Sequence, residues 1–230
     1  MNATTARAAA AHRKADLARS FRLCTSDGLV AMPIVTMSLP VNVFITALVT
    51  KAFVLQKPAI GLMSAMPFAA NFIQIFVASA IARWRPPRVV TVVAASIHLS
   101  LWVALGVFLP LIPQREPETA AFWLTLWFFV SSCFAAVAGV TWNSWIQEWV
   151  PARMRGKYFS RRNAWLQFST LTFLFCAGWA LAHWNYAIAA FQGVIAVAAF
   201  LRIFSLWWQW IAPTRPLPQA RAPMLSFAEQ

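Results

Sequence analysis

Charge is scarce in this sequence, and negative charge scarcest of all. Only 11% of its 230 residues are charged, with 6 Asp and Glu against 19 Lys and Arg. A water-soluble domain carries about a quarter charged residues and about half apolar ones. Here 60% of the chain is apolar and the mean hydropathy is +0.62. So little charge cannot coat a globule, and so much apolar surface cannot be hidden inside one. A soluble enzyme, a secreted disulfide scaffold and a disordered tail are therefore excluded. Cysteine is sparse too. Cys24, Cys133 and Cys176 sit in or beside apolar runs, with no Cys-x-x-Cys and no His/Cys cluster. They read as small packing residues, and no metal or disulfide is expected. The sequence has no Gly-x-Ser-x-Gly, no His-Glu-x-x-His, no phosphate loop and no carboxylate pair spaced as acid and base. Its histidines (His12, His98, His183) stand far apart. Nothing calls for an enzyme or a cofactor.

What the chain has is long apolar runs. A helix needs about 20 apolar residues to cross the hydrocarbon of a bilayer. Six runs qualify, at 28–50, 58–82, 89–112, 120–146, 164–184 and 187–210. The alternating pattern of a barrel strand is absent, so the prediction is an all-α polytopic membrane protein of six transmembrane helices. The net charge of +13 punctuates these runs rather than forming a nucleic-acid face, and no nucleic-acid partner is expected.

Orientation follows from Lys and Arg. Arg7, Arg13, Lys14, Arg19 and Arg22 precede the first span. Arg83, Arg85 and Arg88 follow the second, and Arg153, Arg155, Lys157, Arg161 and Arg162 follow the fourth. Arg215 and Arg221 lie in the last segment, whereas the opposite loops hold only Lys51, Lys57 and Arg115. The positive-inside rule puts both termini in the cytoplasm, in an inner-membrane protein. The expected organisation is a basic cytoplasmic tail at 1–24, a six-helix domain at 25–212 and a linker-like cytoplasmic tail at 213–230. The first apolar run is too long for a signal peptide and has no small-residue cleavage site, so it reads as an uncleaved span.

Within the spans, Pro33, Pro40 and Pro67 predict kinks. Gly61/Ala65/Ala69, Ala135/Gly139 and Gly178/Ala182 form rows of small residues suited to close helix packing. Intramembrane polar groups are the candidate functional residues: Asn42, Asn71, Gln74, Trp142, Asn143 and Gln167. Asn71 and Gln74 share one helical face. His98 is expected to make structural hydrogen bonds, Asp27 to cap the first span at the inner interface, and Arg202 to snorkel to the inner headgroups.

The stretch Trp142–Gly156 reads Trp-Asn-Ser-Trp-Ile-Gln-Glu-Trp-Val-Pro-Ala-Arg-Met-Arg-Gly. Its skeleton, Glu148-x-x-Pro151-x-x-x-Arg155-Gly156, lies at a cytoplasmic helix end. It resembles the signature between spans four and five of the major facilitator superfamily. A second signature of that family, between spans two and three, is met at Ala78–Arg88 mainly by Arg83; its Asp position is Ala82. The resemblance implies an N-terminal six-helix half with a 3+3 arrangement. It also implies a gating motif of Glu148, Pro151, Arg155, Gly156 and Arg83, with Glu148 and Arg155 pairing across helix ends. Spans one and four would line the cavity, which favours Asn42, Trp142 and Asn143.

The function it implies is half of a secondary-active solute transporter, alternating access when paired with a second six-helix unit. The chain would then be a truncated product or a subunit that must find its other half. The alternative is a non-transporting membrane subunit packed against a larger complex. Expected partners are the lipid bilayer and either a second half, a homodimer mate or such a complex.

Overall fold

The computed structural model describes residues 3–40, 42–84, 86–150 and 152–212, with side chains described at 19–40, 42–76, 86–147, 150 and 153–212. All regular structure among them is helical. In chain order the α-helices are α1 (Ala3–Met37), α2 (Val43–Ala47), α3 (Lys57–Trp84), α4 (Pro87–Phe108), α5 (Pro117–Trp149), α6 (Ala152–His183) and α7 (Ile188–Ile211). In lipid every peptide group must be bonded within the chain, and a helix does this locally. Prolines mark two of the starts. Pro87 and Pro117 open α4 and α5, where a fixed φ helps and a missing N–H costs nothing.

Five stretches are long and apolar enough to cross a bilayer: Lys57–Phe76, Pro87–Leu111, Pro117–Gln147, Arg153–His183 and Ile188–Ile211. They fall on the second to sixth of the expected runs. The fifth begins about one span-third earlier than hydropathy suggests, because α6 is already helical at Ala152. Arg, Lys and Met are good helix formers, so a drop in hydropathy there does not end the helix.

The first run is different. Instead of one span over 28–50, α1 stops at Met37 and α2 starts at Val43, followed by a π-helical turn at Leu48–Ala52. Pro40 lies in the gap, where it cannot continue a helix. Pro33 and Pro67 stay inside α1 and α3. Upstream, α1 begins at Ala3, so the residues expected as a separate tail continue the same helix. The expected linker at 213–230 lies outside the described residues.

Packing is pairwise. α3 and α4 both lie along α5, α1 lies along α7, α4 against α7, and α1 with α2 against α6. The core is aromatic. Phe44 of α2 meets Trp102 of α4 and Phe191 of α7 edge-on, and Trp102 meets Trp127 of α5 in the same way. Such pairs add about 0.5–1.5 kcal/mol each beyond their burial. Small residues act unevenly. Gly178 brings α6 onto Val43, where an added Cβ would touch at 3.4 Å. Around Gly61 and Gly139 there is open space instead. A row of small residues permits close approach but does not compel it. Gly106 is closer still, since a Cβ there would come within 3.1 Å of Ile195, and at Gly28 a Cβ would overlap the Arg162 guanidinium outright.

Candidate functional site

Between the helices lies a cavity of about 600 Å³, with walls from α1, α3, α4, α5, α6 and α7. Gly139 and Ala135 form part of its α5 wall, and their lack of bulk keeps the space open. Asn71 and Gln74 of α3 and Trp142 and Asn143 of α5 also line it. Gln74 Nε2 donates to Asn71 Oδ1 at 2.8 Å, so these two form one amide pair. Asn71 and Asn143 are exposed.

Asn42 is not part of the wall. Its side chain joins the two pieces of the broken span. Oδ1 accepts from Ile45 N–H at 2.9 Å and caps α2, while Nδ2 donates to the carbonyls of Met37 and Leu39 at 3.1 and 2.8 Å. A chain break in an apolar interior leaves peptide groups without partners, and one amide here supplies both signs. Gln167 is exposed on α6, away from the cavity.

The cavity's charged end comes from residues that the sequence reading treated as ordinary. Asp27 is not a cap. It lies far inside α1, buried, and its carboxylate turns toward α7. Ser205 donates its hydroxyl to Asp27 Oδ1 at 2.6 Å, and Gln209 Nε2 donates to Oδ1 and Oδ2 at 3.1 and 3.4 Å. Arg202 does not snorkel. It is 6% exposed and donates from Nη1 to the Ser205 oxygen at 2.8 Å. The chain Arg202–Ser205–Asp27 thus links a buried cation to a buried anion through one hydroxyl. Arg162 of α6, which packs against α1 next to Asp27 at Gly28, is 7% exposed. Its guanidinium carbon lies 4.2 Å from the ring centre of Trp142, and Nε donates to the Cys24 carbonyl at 3.4 Å. An indole face attracts a desolvated guanidinium, worth about 2 kcal/mol in such a setting.

One signal in the sequence pointed here. An acid at the very start of one apolar run and a lone arginine inside another are each expensive in a bilayer, and the expense falls when they share a site. Both stand near the predicted inner ends of their runs.

His98 forms the cavity's side wall. Its Nε2 lies 2.9 Å from Ser38 Oγ and 3.1 Å from Trp102 Nε1. The indole N–H can only donate, and it lies 3.1 Å from Ser38 Oγ as well, so His98, Ser38 and Trp102 form one hydrogen-bonded triangle. Ser38 in turn donates to the Ile34 carbonyl at 2.9 Å, which ties the end of α1 to α4.

Of the signature residues, Arg155 and Gly156 have described side-chain surroundings. Arg155 folds back over the end of α5, donating to the carbonyls of Val150 at 3.1 Å and Gln147 at 3.0 Å. These are orphan groups of a helix C-terminus, which a cation suits by charge and by bonding. Gly156 is exposed on α6 with open space around it. Pro151 and the side chains of Glu148 and Arg83 lie outside the described residues.

No sequence family matches this chain. Neither a curated protein nor a solved structure matches it.

Proposed function

We propose that this chain forms the six-helix half of a secondary-active solute transporter of the major facilitator type, working with a second six-helix unit in the inner membrane, both termini in the cytoplasm. The observation that carries the reading is the open, polar-walled cavity: Asn71 and Asn143 line it and are exposed. Amides facing lipid are costly. A second unit laid over that face would satisfy them and enclose a solute between the halves.

The packing pattern supports the same reading. Count α1 with α2 as the first span and exchange the first three spans with the last three. The contact of α3 with α5 then becomes that of α6 with α1, and α4 with α5 becomes α7 with α1. The contact of α4 with α7 maps onto itself. Pairings that survive this exchange are those of an internal repeat, the arrangement from which many transporters build a site at the repeat junction. Broken helices are a further feature of such sites, and Ser38, Leu39 and Pro40 at the α1–α2 break all line the cavity.

Single cysteines in a background lacking Cys24, Cys133 and Cys176 test the reading in sealed vesicles. Positions 116 and 185 label with an impermeant thiol reagent only from the outer side, and positions 86 and 161 only from the inner side. N71C and N143C label from either side by turns in the paired protein. Labelling of both from one side alone would leave a static subunit.

A further inference from the structure

The inner end of the cavity carries an unbalanced charge. Arg162 and Arg202 both line it and both are buried, while Asp27 is the only acid among its described lining residues. Two guanidinium groups against one carboxylate leave one positive charge in a desolvated place. Buried charges persist only when paired. The bonding is also incomplete on one side: Arg202 Nε has no partner among the described residues, and neither does Gln209 Oε1. The Gln209 amide cannot simply turn over, because its nitrogen faces the Asp27 carboxylate. A net positive charge remains at this end of a space of about 600 Å³.

We propose that this end of the cavity is an oxyanion site, in which Arg162 and Arg202 hold a carboxylate or phosphate group in competition with the internal carboxylate of Asp27. Arginine suits this chemistry because its planar fork matches the two oxygens of such a group. Gly28 makes room for Arg162 against α1, since a Cβ there would overlap the guanidinium. Trp142 holds the same group from the other face without consuming its N–H donors. The inference stands on the cavity. Joined to the transport reading, it names the solute class as a small oxyanion.

The test uses the full chain purified into nanodiscs of phosphatidylcholine, with succinate and inorganic phosphate as soluble probes. A parallel arm uses nanodiscs containing phosphatidylglycerol with no added anion. Two quantities are read: the melting temperature, and modification by phenylglyoxal mapped to individual arginines. Bound oxyanion raises the first and protects Arg162 and Arg202, but not the exposed Arg161. Protection by succinate or phosphate identifies a soluble anion; protection confined to phosphatidylglycerol identifies a lipid headgroup at the same site. R162Q and R202Q weaken the response about tenfold or more, R161Q leaves it unchanged, and D27N, which removes the opposing charge, strengthens it. Should R162Q or R202Q fail to fold, the protection pattern of the unaltered chain decides alone. Absence of protection in every arm, or an R161Q effect equal to that of R162Q, overturns the site. That result would leave the two-sided labelling of positions 71 and 143 untouched, and failure of that labelling would leave the oxyanion site untouched.

Discussion

Gly28 and Arg162 share one volume. A methyl group at position 28 would meet the guanidinium end of Arg162 and the Leu166 side chain closer than any real contact allows. Two opposing effects bear on G28A. Alanine in a helix interior gains about 1 kcal/mol over glycine, while overpacking costs about 1–3 kcal/mol. Crowding wins here, because Leu166 and the guanidinium held on Trp142 would both have to move. G28A should lower the melting temperature and shift tryptophan emission as Arg162 leaves Trp142. In an R162A background most of the penalty should disappear. A G28A chain as stable as its parent would mean that the glycine is incidental.

The Asp27–Ser205–Arg202 chain predicts non-additivity. D27A alone strands a buried guanidinium and should cost about 3–5 kcal/mol. R202M alone strands a carboxylate and should cost about as much. The double variant removes both charges and should be less damaging than either sum implies, by more than 1 kcal/mol. Denaturation of the four chains in one detergent measures this. Simple addition of the two losses would show that the groups do not sense each other.

Asn42 makes three hydrogen bonds across the break in the first span. N42A should cost about 2–3 kcal/mol, more than a surface cap, because the freed groups are buried. N42D keeps the capping oxygen and loses both donors, so its loss should be intermediate. Equal stability of N42A and the parent would leave the break without a specific cause.

Arg155 tests what the family-like signature does in this chain. Its bonds go to backbone carbonyls, so R155A should cost about 1 kcal/mol. That cost should persist when Glu148 is replaced by Gln. R155K, with one ammonium in place of a fork, should recover only part of it. If the R155A effect vanishes in the E148Q background, the two side chains form the paired gate that the resemblance implies.

The sequence was informative wherever one segment decides its own structure. Apolar length located α3, α4, α5 and α7 to within a few residues, because the bilayer leaves an apolar chain no other choice. At Pro40 a kink was expected, but the full break between α1 and α2 was not, for a related reason. Hydropathy sums over a window, and Ser38, Leu39 and Pro40 barely lower the sum while removing the helix. The amide pair of Asn71 and Gln74 was legible from their spacing on one turn. The charged end of the cavity was not. Asp27 and its partner Ser205 stand 178 residues apart, and only helix rotation brings them face to face. Arg162 was hidden by its company, one cation within a basic loop whose neighbours Arg153 and Arg161 remain exposed.

The link between α1 and α7 also governs how the protein is made. The ribosome delivers Asp27 to the membrane 178 residues before Ser205. A carboxylate buried at the end of a nascent span resists leaving the translocation channel until something neutralises it. The first span therefore waits, at the channel or under a membrane chaperone, for the seventh helix to be translated. A ribosome stalled before residue 205 should hold α1 within reach of a cross-linker on the channel.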